Sequence, residues 1–250
     1  MNSLNTAISE SSAELSVQKR ILFQNSDCIV INKLTGEAAQ GAAQGARSQN
    51  TVQKEIGNLP KMLKNNLNKS FVQAAHRIDV PVTGCIIFAL NKKALTFLYD
   101  VFAGKNNLSI EKIYWAVVEK PSSEIPQNGK LVHWIETKTN INKSFAYNEA
   151  GIGRKKASLC YKVLGEGDNY LFVEVKLLSG RHHQIRAQFA ASGLYIKGDV
   201  KYGAKRGEKG GCIRLHARSL VFPNPSKISE NILVTANPPV MDNLWEAFPI

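Results

Sequence analysis

The sequence predicts an α+β fold with a long, mainly antiparallel central sheet flanked by helices. Five runs have the length and apolar or alternating character of strands, whereas only two segments show helical spacing. Long strands with few helices between them favour antiparallel pairing over a parallel sheet with helical crossovers. The five strand runs cover residues 113–118, 131–135, 158–163, 170–178 and 213–222.

The fourth run shows most clearly how a strand would be oriented. Its apolar residues alternate with others, so that one side of the strand faces a core. These residues are Leu171, Val173, Val175 and Leu177.

The folded part of the chain is predicted to begin near Ile21. Two short apolar runs, residues 21–23 and 28–31, flank Asn25-Ser26-Asp27, which is typical of a hairpin of two strands. We expect a flexible tail at residues 1–20 and one folded domain at 21–250. Ala-Ala-Gln-Gly occurs twice within residues 36–45, which predicts a mobile surface loop.

Two helices are predicted. From Ala94 to Phe102, apolar residues recur at spacings of three and four, and Gly104 follows as a stop signal. The second helix covers residues 181–192, with Gly193 after its end. Cations and imidazoles crowd its first turns, where the helix dipole is already positive, and this favours an anion-binding role over a solvated helix face. They are Arg181, His182, His183 and Arg186.

Composition limits the classes of function. Of 250 residues, 32 are Lys or Arg and 20 are Asp or Glu, which gives a formal charge of +12 and makes nucleic acid the first partner to consider. A basic enzyme that does not bind nucleic acid remains the alternative.

Cysteine usage and hydropathy bear on the compartment. The four cysteines have no chelating or redox spacing and read as core residues in a reducing compartment. Because no signal peptide or long apolar stretch is evident, we expect a cytoplasmic protein that does not contact membranes.

Three polar segments carry the candidate chemistry. The first is His76-Arg77-Ile78-Asp79 with Thr83-Gly84 behind it, and the second is Lys112-Ile113-Tyr114. The third runs from Ser179-Gly180-Arg181-His182-His183 through Gln184-Ile185-Arg186. Each has an ordinary structural explanation when taken alone: a surface ion pair, a core tyrosine, or a solvated helix face.

As a set, the segments closely resemble the RluA-like family of ribosomal and transfer RNA pseudouridine synthases. The family motifs occur in the family's order over nearly the whole folded chain. The matching stretches are residues 22–33, 75–90, 112–118, 179–186, 193–203 and 214–225. The chain differs from the family in two places. Val80-Pro81-Val82 replaces polar residues before Thr83-Gly84, and the repeat at residues 36–45 is unusual.

The resemblance implies the pseudouridine synthase fold, with a cleft across the sheet, and it makes residues 21–250 the catalytic domain without an accessory RNA-binding domain before it. It implies that Asp79 is the catalytic aspartate, that Tyr114 lies over the target base and that Arg186 pairs with the carboxylate. Neither a metal nor a cofactor is implied. The residues expected to position RNA or the surrounding loop, or to line the pocket below the uracil, are Arg77, Arg181, His183, Gln184 and Leu215.

The residue types suit such a reaction. Moving the ribose bond from nitrogen to carbon 5 of uracil requires an ionised carboxylate near the sugar. Arginine can aim that carboxylate through a bidentate pair better than lysine can. We expect a monomer with RNA as its partner, and the cations predicted to contact phosphates are Lys33, Arg77, Arg181, Lys197, Lys201, Lys205 and Arg206.

Two alternatives stay open at this stage. A catalytically silent RNA-binding protein could retain the same fold, although Asp79, Tyr114 and Arg186 are all present. A metal-dependent RNA hydrolase could use His182 and His183, but few acidic ligands accompany them.

Overall fold

The computed structural model of the protein describes residues 17–40 and 58–248. The predicted α+β class is confirmed, and the described strands join one sheet of eleven. Their bounds are β1 Ile21–Gln24, β2 Cys28–Lys33, β3 Gln73–Ala74, β4 Thr83–Ala89, β5 Glu111–Glu119, β6 Asn128–Lys138, β7 Lys143–Tyr147, β8 Lys155–Glu166, β9 Tyr170–Leu177, β10 Leu215–Asn224 and β11 Lys227–Thr235.

The sheet is mainly antiparallel, as predicted. Its order is β1-β2-β4-β10-β5-β9-β8-β6-β7, with β3 paired to β4 and β11 paired to β10. The parallel pair is β4 with β10, where Thr83 lies opposite His216 and Gly84 opposite Ala217. A Cβ on Gly84 would lie 2.3 Å from the Ala217 oxygen, so this close approach requires glycine.

Four α-helices occur in the described ranges: α1 Leu59–Leu67, α2 Lys92–Ala103, α3 Gln184–Ala191 and α4 Asn243–Glu246. The predicted helix around Ala94 is confirmed as α2, which begins two residues earlier because the Asn91 side chain accepts from the Ala94 N–H at 2.8 Å. Gly104 ends it in the left-handed conformation. None of the described helices is both long and apolar enough for a bilayer crossing.

The core lies on both faces of the sheet. One face carries the largest cluster, which includes the four alternating residues of β9 that were predicted to share a face. On the other face, α2 packs over β2 and β4, and the segment around Trp245 and Phe248 packs over β5 and β9. Cys28 and Cys85 are buried as predicted, whereas Cys160 and Cys212 are only half-buried.

Three expectations about boundaries need correction. The predicted helix at residues 181–192 begins only at Gln184, because His183 adopts a positive φ of 49° that no α-helix contains. The predicted tail at residues 1–20 extends too far, since Arg20 is buried and ion-paired with Glu37 at 2.7 Å. That contact also shows that part of residues 36–45 is packed against the fold; residues 41–45 lie outside the described ranges.

Candidate active site

A cleft of about 1030 Å³ opens where the turn after β3, the first residues of β5 and the loop after β9 meet. Every site residue predicted from the sequence lines it, although these residues come from four distant parts of the chain. They are Arg77, Asp79, Tyr114, Arg181, His183, Gln184, Arg186 and Leu215.

Asp79 begins the tight turn that leads into β4. The Val82 N–H donates to the Asp79 carbonyl at 3.0 Å, which closes a turn across Val80 and Pro81. Proline suits such a turn because its φ is already fixed. The turn leaves the Asp79 side chain 16% exposed at the cleft wall.

Lys33 stabilises this turn from inside the protein. Its ammonium donates to the carbonyls of Leu34 at 2.8 Å, Val80 at 3.0 Å and Val82 at 2.7 Å. The residue is fully buried, and burial lowers the pKa of the Lys33 ammonium to about 8. The expectation that Lys33 contacts phosphate is therefore wrong, because its three donors are already used inside the protein.

Arg186 connects two carboxylates. Its Nη1 lies 3.2 Å from Asp79 Oδ2. Its Nε and Nη2 bind Asp199 at 2.6 and 2.7 Å in a bidentate pair, and Asp199 is only 2% exposed. The bidentate pair expected for Asp79 is thus made with Asp199, and the site carboxylate receives a single charged hydrogen bond from an arginine that is already fixed.

His183 also faces Asp79. Its Nε2 lies 3.6 Å from Asp79 Oδ2, which is longer than a hydrogen bond. Burial, followed by the charge of Arg186, strongly lowers the pKa of the imidazole, so the ring is neutral at neutral pH. The Tyr202 hydroxyl is 2.9 Å from His183 Nδ1 and accepts from the Ser144 N–H at 2.8 Å.

This hydrogen-bond chain favours one tautomer of His183. Since the Ser144 N–H already binds the phenol oxygen, the phenol proton of Tyr202 is satisfied when it is donated to His183 Nδ1. The ring proton then sits on Nε2 and points towards Asp79. His183 is almost fully buried, so we propose that it positions the carboxylate instead of contacting RNA.

Gln184 organises the loop that carries Arg181 and His183. Its Oε1 accepts from the Arg181 N–H at 2.9 Å and from the Ser179 hydroxyl at 2.8 Å. Its Nε2 donates to the Ser158 carbonyl at 3.0 Å. These contacts use both ends of the amide, so we propose that Gln184 shapes the loop and leaves substrate contact to the exposed Arg181.

Tyr114 and Leu215 form the apolar wall of the cleft. They lie on the adjacent strands β5 and β10, where Tyr114 is opposite Ala217 and Leu215 is opposite Ala116. Both are nearly buried. Burial, and then the charge of Asp79, raise the pKa of the Tyr114 phenol, which stays protonated at neutral pH.

The remaining predicted phosphate contacts differ in exposure. Arg77, Arg181, Lys205 and Arg206 are exposed. Lys197 is ion-paired with Glu208, and the Lys201 ammonium donates to the Ile141 carbonyl at 3.2 Å and the Asn142 carbonyl at 2.6 Å. The cations most available to RNA therefore lie at the cleft rim and in the segment around Lys205.

The His182–His183 pair does not have the surroundings of a metal site. The two rings stack at 3.8 Å between centroids, and His182 Nδ1 is 2.9 Å from the Ser144 hydroxyl. Within residues 17–40 and 58–248, no group of three or more His, Cys, Asp or Glu side chains is placed to hold a metal ion.

The sequence assigned no role to three residues that shape the site, Asp199, Tyr202 and Ser144, and it gave Lys33 the wrong one. Asp199 and Tyr202 stand in the Gly-Asp-x-x-Tyr-Gly stretch at residues 198–203, which the family resemblance had singled out as a motif. The acid and the tyrosine of that motif were the signal that the sequence offered. Ser144 carries no sequence signal. Its backbone N–H binds the Tyr202 hydroxyl and its own hydroxyl lies next to His182 only in the folded chain.

Comparisons with known proteins identify the family of this chain. A family model described as RNA pseudouridylate synthase matches residues 27–191. "Ribosomal large subunit pseudouridine synthase C" of Rickettsia bellii is 32% identical over 76% of this chain and 60% of its own length. The protein of that name from Vibrio parahaemolyticus is 24% identical over 84% of this chain and 63% of its own length.

A mitochondrial relative is also similar. "Pseudouridylate synthase RPUSD4, mitochondrial" of mouse is 26% identical over 89% of this chain and 67% of its own length. The chain thus spans about 60 to 63% of the length of the bacterial relatives above.

Two solved human structures share the fold. "RNA Pseudouridylate Synthase Domain Containing 4" superposes with a TM-score of 0.66 at 21% identity, covering 89% of this chain and 90% of that one. "RNA Pseudouridylate Synthase Domain Containing 1" gives 0.64 at 24% identity, covering 90% and 85%. The pseudouridine synthase fold and the family resemblance expected from the sequence are both confirmed. Because the family model matches residues 27–191, well over half of this chain, the chain belongs to the RNA pseudouridylate synthase family.

Proposed function

We propose that this protein isomerises uridine to pseudouridine in RNA, with Asp79 as the carboxylate that acts on the ribose. The observation that carries the proposal is the setting of Asp79: its side chain reaches a cleft of about 1030 Å³ and is held there by Arg186, which Asp199 fixes in turn. The family to which the chain belongs supports the same reaction.

The reaction balances without a redox partner or water. The bond from ribose carbon 1 to uracil nitrogen 1 breaks, the base turns, and carbon 5 bonds to the same sugar carbon. The proton on carbon 5 is lost and a proton is gained at nitrogen 1. A carboxylate can either attack the sugar or remove a sugar proton to start elimination.

One oxygen of Asp79 is better placed for this step. Arg186 and His183 both approach Oδ2, at 3.2 and 3.6 Å. In the described part of the chain, Oδ1 has no such partner. We infer that Oδ2 anchors the carboxylate and that Oδ1 faces the sugar.

Tyr114 suits the base. Its ring lies on the wall of the same cleft and offers a plane on which uracil can stack. Because its phenol stays protonated, the hydroxyl can take part in proton transfer at carbon 5 late in the reaction. Leu215 would support the uracil from the other side.

A uridine in a stem or stacked loop must leave its neighbours to reach Asp79, which costs a few kcal/mol. The exposed cations Arg77 and Arg181 at the cleft rim could offset this cost through phosphate contacts. The names of the bacterial relatives favour ribosomal RNA as the substrate, with transfer RNA as the second candidate. We propose a monomer that acts in the cytoplasm, where its free cysteines remain reduced.

The decisive experiment is release of tritium from carbon-5-labelled uridine in a substrate RNA by wild-type protein and by Asp79→Asn. Asparagine keeps the shape of the side chain and can still bond to Arg186, but it lacks the charge, so release should be abolished while melting temperature and RNA affinity stay nearly unchanged. Asp79→Glu should be nearly as inactive, since a displacement of about 1 Å can cost about a hundredfold.

The outcomes separate the alternatives. Substantial release by Asp79→Asn would overturn the role of Asp79. A wild-type protein that binds RNA without releasing tritium from any candidate RNA would favour the catalytically silent RNA-binding protein. Mapping pseudouridines across total cellular RNA with and without the gene identifies the substrate, and no changed position would contradict the proposed activity.

A further inference from the structure

One face of the central sheet is only partly covered. On β5 and β9, the side chains of Trp115 and Phe172 are packed beneath Trp245 and Phe248. The registers of β9, β8, β6 and β7 continue this face to the far edge of the sheet. Among the described residues, the three aromatic side chains on that continuation belong to none of the core clusters, and each is half-buried: Trp134, Phe145 and Tyr147.

Cations and aromatic rings alternate on this part of the face. Trp134 on β6 lies opposite Tyr147 on β7 and Lys156 on β8. The Arg154 guanidinium lies 3.5 Å from the centre of the Tyr147 ring, and the Lys156 ammonium lies 5.7 Å from that of Trp134.

Phe145, two residues before Tyr147 on β7, also lies close to cations. Phe145 lies between the ammonium groups of Lys138 at 5.3 Å and Lys143 at 5.5 Å. Cation–π contacts of this kind keep basic groups at the rings without neutralising their charge.

We name this surface the outer sheet face. It extends along β6 from Asn128 to Lys138, about 34 Å at 3.4 Å per residue. The carboxylates that point to the same side include Glu111, which is ion-paired with Lys176, Glu136, which lies 4.0 Å from Arg154, and Glu174. Seven cations outnumber these three: Lys130, Lys138, Lys143, Arg154, Lys156, Lys162 and Lys176.

The outer sheet face meets the rim of the cleft near the end of β9, although Tyr114 and Leu215 of the cleft wall belong to the core cluster on the opposite face of the sheet. Lys176 lines both the cleft and a groove of about 430 Å³ on the outer sheet face, where Lys130 and Lys162 also lie. At the other end, the Nε of Arg181, a cleft residue, donates to the Lys156 carbonyl at 3.3 Å. An RNA strand that leaves the cleft at either point has to pass around the end of the sheet, and it then meets the cations of this face.

We propose that the outer sheet face binds single-stranded RNA flanking the target uridine, an inference that rests on the RNA-directed function proposed above. Lysine and arginine side chains contact the phosphates, and bases stack on the aromatic rings or on the guanidinium plane of Arg154. Single strands fit better than duplexes because half-buried rings at the surface can stack only on unpaired bases.

The test uses two labelled oligouridine RNAs: a trinucleotide that the cleft alone can hold and a longer strand able to cross the outer sheet face. The double variant Arg154→Ala, Lys156→Ala should lose roughly tenfold in affinity for the long RNA, and its dependence of log K on log salt should flatten by about 1.4 for two lost phosphate contacts. Trinucleotide affinity should not change.

The matched control removes two exposed lysines from α2, on the other half of the sheet, as Lys92→Ala, Lys93→Ala. A second variant, Tyr147→Ser, removes a stacking plane without changing charge and should weaken long-RNA binding by roughly tenfold. Photocrosslinking of wild-type protein to long RNA that carries 4-thiouridine, followed by peptide mapping, should identify peptides from β6, β7 and β8.

Equal long-RNA affinity in wild type and the Arg154, Lys156 variant would overturn the inference, as would equal losses in that variant and in the control. Absence of crosslinks in β6–β8 would also count against it. Polyglutamate that binds wild type at least as tightly as the long RNA does, and that loses affinity in the Arg154, Lys156 variant but not in the control, would overturn the RNA assignment in favour of an acidic protein partner. Because tritium release is measured on the same proteins, a wild type that isomerises uridine while the outer sheet face fails these tests leaves the proposed function intact.

Discussion

Arg186 binds Asp199 edge-on, with Nε 2.6 Å from Oδ2 and Nη2 2.7 Å from Oδ1. Both side chains are buried, and the ring of Tyr202 lies 4.8 Å from the guanidinium carbon. The guanidinium therefore has one orientation available, in which Nη1 points at Asp79. Asp199 contributes to the site without reaching the cleft.

Asp199→Asn should lower turnover by roughly ten- to a hundredfold, because Arg186 loses the two-point contact that aims it at Asp79. RNA affinity should remain, while stability falls by about 3–5 kcal/mol from the broken buried pair. Single-turnover rates and denaturant melts of the variant measure both effects. The control is Glu166→Gln, which breaks the exposed ion pair with Lys120 and should change neither turnover nor stability. Wild-type turnover in folded Asp199→Asn would show that Arg186 needs no second carboxylate.

Tyr114→Phe should bind RNA normally and form product slower by about two or more orders of magnitude. The variant keeps the stacking plane and loses only the hydroxyl that takes part in proton transfer. Uridine consumption and tritium release should be followed separately, since a block at the carbon 5 proton step lets uridine be consumed faster than tritium is released. Tyr99→Phe, on the exposed side of α2, is the matched control, and unchanged turnover in Tyr114→Phe would reduce Tyr114 to a packing residue.

Lys33→Met should destabilise the protein and slow the reaction without changing the salt dependence of RNA binding. The carbonyls of Leu34, Val80 and Val82 lose their donor, and each buried unsatisfied carbonyl costs about 1–3 kcal/mol. The opposite pattern is expected when exposed Lys205 and Arg206 are changed to Glu: stability stays and the salt slope flattens. A flattened slope in Lys33→Met would return this lysine to the RNA-binding surface.

His216 should make the fold sensitive to acid. Its Nε2 donates to the Ala236 carbonyl at 3.0 Å and its Nδ1 is 2.8 Å from the Thr83 hydroxyl. Burial lowers the pKa of this imidazole to about 4 from about 6.5 in the unfolded chain. Between these values the unfolded state binds the extra proton, so stability is present above pH 6.5 and falls by about 1.4 kcal/mol per unit as pH decreases towards 4.

Denaturant titrations at several pH values measure this slope. His216→Asn is expected to be less stable at neutral pH but to show a shallower decline over the same window. An identical pH dependence in both proteins would assign the acid sensitivity to other groups.

The sequence alone determined the elements whose signals are local. The spacing from Ala94 to Phe102 and the stop at Gly104 predicted α2, and alternation predicted the buried face of β9. Because the family motifs can be recognised in the sequence, the resemblance named the residues of the cleft before the distances between them were known. Asp79, Tyr114 and Arg186 do line one cleft.

Tertiary structure decided what each polar group bonds to. The sequence predicts that Lys33 is a basic surface residue, but it is buried beneath the Asp79 turn. Its partner Val80 lies 47 residues further along the sequence. Arg186 reaches Asp79 across 107 residues and gives its two-point contact to Asp199 instead. The short strand β7 has a weak local signal, yet it supplies Ser144 to Tyr202. Pairings of this kind depend on which groups the folded chain removes from water together, and no local pattern of residues encodes that choice.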